Sequence, residues 1–228
     1  MDTAENAIKK PNSRIYPVFG WILIGHFVFS LCRCIYIGVP EDALWISHLG
    51  TLIGGIGACL RNRRLISLAL VSCFGHHAFW VMDTLSWLIT GHFAVGTTTY
   101  LQNHSLSGWI QSANHFFTVP ALLILAVLQK GIDRYAWIWA GLLFLLMVLI
   151  SLFLLPPASN VNAAHQPWPG LEPLVSLFVP LSPFSPARYV FFITVVTIIG
   201  NYLPSNLVLS YAISKYVGIT RYIQKKAG

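Results

Sequence analysis

Six stretches of this chain are apolar enough, and close enough to the ~20 residues required, to cross a lipid bilayer as helices. They run roughly over 15–37, 43–60, 65–90, 109–128, 135–155 and 188–213. The second is short and would cross with little tilt. Of the 228 residues, 56% are hydrophobic and 9% are charged, with a mean hydropathy of +0.67. A soluble domain carries about 25% charged residues. The expected fold is therefore all-α, a polytopic bundle of six transmembrane helices.

Charge placement orders the spans. Lys9, Lys10 and Arg14 precede the first, Arg61, Arg63 and Arg64 join the second to the third, and Lys130 and Arg134 join the fourth to the fifth. Lys215, Arg221, Lys225 and Lys226 follow the sixth. These are twelve of the fourteen basic residues, all on one side; Arg188 stands alone on the other, and Arg33 lies within a span. The positive-inside rule then places both termini in the cytoplasm, with a multi-pass location in a bacterial inner or cell membrane as the expectation. The net charge of +7 reports this topology and does not point to nucleic acid. The first fourteen residues are polar and no small-residue cleavage site follows, so the first helix is expected to be retained.

The chain divides into an N-terminal tail over 1–14, a membrane domain over 15–213 and a basic C-terminal tail over 214–228. The segment 156–187 is an outward loop holding eight of the thirteen prolines. Its apolar stretch Leu174–Val179 is too short to span, and is expected at the interface or folded back over the helix ends. Such a loop is either a lid or a docking surface. Asn103-His104-Ser105 forms a glycosylation sequon on the outward side, meaningful in a eukaryotic secretory pathway. Gly50-x-x-x-Gly54 gives the second helix the spacing for close approach to a neighbour. Asn201, Pro204 and Asn206 predict a kink in the sixth. The fifth, almost free of polar side chains, is expected to face lipid along much of its surface. Cys32, Cys34, Cys59 and Cys73 all lie within spans and read as buried packing residues.

Ionisable residues inside apolar spans are costly and usually face a polar interior. Counting ~1.5 Å per residue from the expected helix ends puts Arg33, His48, Asp83 and His115 each about 8–10 Å below the outer boundary. Four helices thus contribute to one polar layer. Asn114 accompanies His115, and the Pro-rich loop brings Asn160, Asn162 and His165 over it. His76, Trp80, Asp83 and Trp87 share one helical stripe, the wall of a polar shaft opening outward. His77 faces elsewhere, and His26 reads as structural. Arg33 and Asp83 have an alternative reading as an ion pair that fixes packing. For chemistry, His115 would be the base, oriented by Asp83 with His48 as polar partner, and Thr51 or Ser112 would be the nucleophile. Arg33, His76, Trp80, Asn114, Asn160, Asn162 and His165 would contact the substrate. No assigned role requires a cofactor; a metal or a haem held by His48, His76 and His115 is the minor alternative.

Three motifs carry a family likeness: Ser47-His48-Leu49-Gly50, Asn114-His115-Phe116, and Asn160-Val161-Asn162 followed by Pro167-Trp168-Pro169-Gly170. They span roughly residues 43–180. The pattern resembles the bacterial YwaF-like integral membrane proteins, related membrane acyltransferases and, more distantly, the androgen-induced fatty-acid-ester hydrolases. The resemblance implies a six-helix bundle acting on lipid acyl groups with His115 as the catalytic base. Gly50 stands at the position similar to the acyltransferases' nucleophilic Cys, and Thr51 is the nearest hydroxyl; the hydrolases use a Thr. The leading expectation is a membrane-embedded lipid hydrolase or acyltransferase, with membrane lipids as its partners. The alternative is a non-enzymatic membrane protein: a subunit of a larger complex, a lipid-binding protein or a small-molecule transporter. The absence of inverted repeats and of matched broken helices weighs against the last.

Overall fold

A computed structural model describes residues 14–168, 171–178 and 185–227. Lys9, Lys10, the Pro169-Gly170 pair and Val179 lie outside the described residues. The described chain is helical, with no strand. Its helices are α1 (Ile15–Tyr36), α2 (Ile46–Cys59), α3 (Arg63–Thr90), α4 (Leu106–Ser112), α5 (Asn114–Leu128), α6 (Ala136–Leu154), α7 (Glu172–Ser176), α8 (Pro186–Val196) and α9 (Leu203–Ala227). Five units are long and apolar enough to cross a membrane: α1, α3, the α4–α5 pair, α6, and the α8–α9 rod through Thr220. The apolar α2 is shorter, at fourteen residues.

Two of the expected spans differ from the observed helices. The fourth is broken at Ala113 into α4 and α5, which leaves carbonyls near the break free for side chains. The sixth was read as 188–213 with a tail beyond it; instead helix runs from Pro186 to Ala227. The expected kink in it takes the form of a π-helical turn over Thr197–Tyr202. Pro204 has no N–H to donate, so the preceding turn must rearrange its bonding. Ser205 Oγ donates to Asn201 Oδ1 at 3.2 Å, satisfying one group of that turn.

Glycine sets the closest approaches. A methyl group on Gly20 would fall 2.9 Å from the Gly55 carbonyl oxygen, and one on Gly55 would fall 2.9 Å from that of Gly20. The backbones of α1 and α2 therefore meet face to face at this pair. Gly54 instead makes room for Leu122 of α5 and Ala69 of α3. The core follows from this, joining Leu23, Ile66, Leu70, Leu122, Leu125 and Tyr202. On α6, Ala136, Ala140, Phe144 and Val148 face inward, while Ile138, Leu142, Leu146 and Phe153 are exposed.

The bundle has two ends. At the basic end, Arg63 Nη2 donates to the Ile132 carbonyl at 2.6 Å and Arg64 lies 3.6 Å from Asp133. The other, here the loop end, gathers residues 37–45, 91–105 and 155–168. Asn162 fastens it: Oδ1 accepts from Ile46 N–H at 2.8 Å and Nδ2 donates to the Leu44 carbonyl at 3.0 Å. A side-chain oxygen thus caps the start of α2, where backbone N–H groups lack partners. Asn160 Oδ1 accepts from His165 and Gln166 N–H, His165 Nε2 bonds the Ser151 carbonyl at 3.2 Å, and the Tyr189 hydroxyl donates to the Ala163 carbonyl.

Candidate functional site

The loop end holds a cluster of polar side chains packed between α1, α2, α3, α4 and α5. Ser47, His48 and Thr51 come from α2, His77 and Trp80 from α3, Gln111 and Ser112 from α4, and Asn114, His115 and Thr118 from α5. All are buried except His115, which is half-buried.

His115 sits at the centre. Its Nδ1 lies 2.9 Å from the Ser112 carbonyl oxygen, a bond that nitrogen makes as the N–H donor. The carbonyl is available because the helix breaks at Ala113, one residue before α5 begins. The neutral ring then carries its lone pair on Nε2. The imidazole stacks on the Trp80 indole at 4.3 Å between centroids, and His77 lies against it at 4.5 Å. Trp80 is itself pinned, its Nε1 donating to the Tyr100 hydroxyl at 2.7 Å. Burial raises the pKa of the Tyr100 hydroxyl above the usual phenol value.

A second chain of bonds joins the cluster to the surface. Arg33 donates from Nη1 to Gln111 Oε1 and from Nε to Ser107 Oγ, the latter at 3.2 Å. Gln111 Nε2 lies 3.2 Å from Cys34 Sγ and 3.3 Å from His48 Nε2. Gln111, which the sequence analysis passed over, is thus the junction between Arg33 and His48. Its one legible signal was position, one helical turn before His115.

Several buried atoms lack a partner among the described residues. In the cluster they are both ring nitrogens of His77, Nδ1 of His48 and Oδ1 of Asn114; others, such as those of Ser30, Ser72, Thr194 and Asn206, are scattered through the bundle. Buried polar atoms are nearly always satisfied, so the four in the cluster are open to water or a ligand.

The structure separates other residues from this group. Asp83 does not orient His115, nor does it pair with Arg33. The segment after Gly91 doubles back along α3, and its donors converge on the carboxylate. Oδ1 accepts from the N–H groups of Val95 (2.7 Å) and Gly96 (3.1 Å). Oδ2 accepts from Thr98 N–H (2.9 Å) and from the Thr97 (3.1 Å) and Thr98 (2.8 Å) hydroxyls. Gly96, at φ +97°, supplies the turn this convergence needs. Five donors make Asp83 the anchor of a loop.

The expected stripe also divides. His76 turns to the other side of α3, its Nε2 3.3 Å from the Tyr202 hydroxyl and its ring beside Phe144 and Trp168. Trp87 stacks on Phe93. These packed rings replace the expected open shaft. Asn160, Asn162 and His165, expected over the site, spend their polar atoms on the loop and on α2 and α6. Thr51 Oγ1 donates to the Ser47 carbonyl at 2.8 Å and sits 3.0 Å from the Thr118 hydroxyl. Asn114 Nδ2 reaches the same Ser47 carbonyl at 3.4 Å. His26 is structural, its Nε2 3.0 Å from the Ile110 carbonyl.

Among the described residues no group of three or more His, Cys, Asp or Glu is placed to share a metal ion. His76 lies apart from His48 and His115, so the three do not form the ligand set considered above. Comparison with protein-family models, with curated proteins and with solved structures gives no match.

Proposed function

We propose that this chain is a six-span integral membrane protein of a bacterial cell membrane, with both termini in the cytoplasm, that hydrolyses an acyl ester of a membrane lipid using His115 as base. The observation that carries the reading is the hydrogen bond from His115 Nδ1 to the Ser112 carbonyl. It commits one ring nitrogen as donor and leaves Nε2 as proton acceptor, the arrangement a general base requires. Stacking on Trp80 and His77 holds the ring in that pose.

The surroundings narrow the nucleophile. The Thr51 hydroxyl gives its proton to a backbone carbonyl, and His115 bonds the Ser112 carbonyl rather than its hydroxyl. Water remains. In this mechanism Nε2 takes a proton from water as its oxygen bonds to the acyl carbon. The ester C–O bond then breaks, and the leaving alkoxide recovers the proton from His115. The products are a free acid and an alcohol, and His115 returns to its starting tautomer. The unpartnered nitrogens of His77 are the nearest candidates to bind the water or the developing oxyanion.

One observation favours a second reading, a non-enzymatic lipid-binding protein or a subunit of a membrane complex. Asp83 and Thr51, the residues best suited on sequence grounds to assist a base, both spend their oxygens on structure.

The test is lipid turnover by purified protein, followed by mass spectrometry. Wild type is expected to release fatty acid, His115→Ala to lose this by at least ~100-fold, and Thr51→Val to retain it. No release by wild type from any membrane lipid class would remove the enzyme reading. Release undiminished in His115→Ala would remove the site, and loss in Thr51→Val would replace water by a covalent threonine ester.

A further inference from the structure

Tyr100 reaches the histidine cluster from outside the long helices. It belongs to the short helical turn Thr99–Asn103, on the segment that doubles back along α3. Its side chain is 46% exposed, yet its hydroxyl accepts at 2.7 Å from the indole N–H of Trp80, which is 8% exposed. The ring therefore lies across the surface while its oxygen meets a buried donor. An indole N–H can only donate, and leaving it unmet in a buried position is costly. The bond thus ties the pose of Trp80 to the place of Tyr100.

That place is fixed one helical turn away. Asp83 and Trp80 are three residues apart and share a face of α3. The Asp83 carboxylate accepts from the backbone of Val95, Gly96 and Thr98, and Tyr100 follows two residues later. Leu101, next in the chain, is buried. The Tyr100 ring also meets the His104 ring edge-on at 5.1 Å, and the carbons of His104 fill the space beside Gly108 of α4. The segment is thus fastened to α3 at two points and packed toward α4.

Trp80 in turn holds His115. Indole and imidazole lie 4.3 Å apart between centroids and within 14° of parallel. This stacking sets the plane of the imidazole, and with it the aim of Nδ1 at the Ser112 carbonyl. It also bears on the reaction. When Nε2 takes a proton the ring becomes a cation, and a cation over an indole face is stabilised by the ring's electrons. An indole free to swing would give up both effects.

We infer that Tyr100 is a positioning residue for His115, acting through Trp80, and that Asp83 holds in place the segment that carries it. Asp83 makes no bond to the cluster; its part is to anchor backbone. The inference rests on the reading of His115 as base, and adds that a segment outside the long helices completes the site.

The state of the His115 ring is read by nitrogen NMR of histidine-labelled, full-length protein in detergent, apart from turnover. Its signal is assigned by loss in His115→Gln. Wild type is expected to show one tautomer, with the proton on Nδ1. Tyr100→Phe removes a single oxygen at a half-exposed position and is expected to show both tautomers. Asp83→Asn is expected to do the same, with amide exchange over 95–98 at least ~10-fold faster. In Tyr100→Phe that exchange is expected to match wild type. Thr98→Val, which loses one hydroxyl bond to Asp83, serves should Asp83→Asn fail to fold. Fatty-acid release by Tyr100→Phe is expected to fall ~10-fold in kcat with KM unchanged, since the stacked cation exists only during reaction. A single tautomer retained in Tyr100→Phe overturns the inference. One retained when the Asp83 anchor is weakened and exchange over 95–98 has risen overturns the part given to Asp83. A tautomer change in a protein that releases no fatty acid leaves the positioning role standing and removes the enzyme reading instead.

Discussion

His77 is the residue whose environment is most at odds with its chemistry. Its side chain is 1% exposed, and neither ring nitrogen has a partner among the described residues. An unmade buried hydrogen bond costs about 1–3 kcal/mol. His77→Leu, close in volume, is therefore expected to raise stability by about that amount while lowering fatty-acid release. Thermal unfolding in detergent reads the first effect, and a clear loss of stability would contradict it. The same scale shows what a sequence conceals. That Asp83 needed polar company was legible from one carboxylate in a long apolar run. Its partners were not, because four of the five bonds depend on where Val95, Gly96 and Thr98 fold, and no periodicity encodes a returning loop. Gln111 escaped notice because an uncharged amide carries no insertion penalty large enough to single it out.

At the scale of elements, helix positions were largely legible and helix ends less so. Apolar length located α1, α3 and α6 to within about two residues. It did not find the break at Ala113, since Leu106 to Leu128 reads as one apolar segment. That break matters, for it frees the Ser112 carbonyl that orients His115. The loop over 157–166 is another case. Its asparagines were read as ligands for a substrate, yet Asn162 proves to be the cap of α2. Asn162→Ala removes a buried acceptor and a donor together, and should destabilise the protein by about 2–3 kcal/mol. Hydrogen exchange checks this directly. Faster exchange is expected at the first turn of α2, and unchanged protection there would refute the capping role.

For the whole molecule, the alternation of connections rich and poor in Lys and Arg is the strongest argument for orientation. It is expressed physically in the basic end, where Arg63 holds the turn between α5 and α6. Cysteines placed singly at Lys130 and Ala158, in a chain lacking its four native cysteines, test it in intact bacterial cells. A membrane-impermeant maleimide is expected to label the Ala158→Cys protein without lysis and the Lys130→Cys protein only after it. The reverse pattern would invert the topology and move the histidine cluster to the cytoplasmic leaflet.

The joined α8 and α9 helices have a mechanical consequence. Forty-two residues from Pro186 to Ala227 rise by ~63 Å, about twice the hydrocarbon thickness of a bilayer. At its π turn Asn201 rests against Gly75 of α3, and Leu209 and Ile213 further along are buried in the core. Held by the core from Val190 to Ile213 and longer than the bilayer core is thick, the rod must project beyond the helices that hold it. Force applied to its far end would enter the core at Ile213 and Leu209 before it reaches Gly75, one residue from His76 and two from His77.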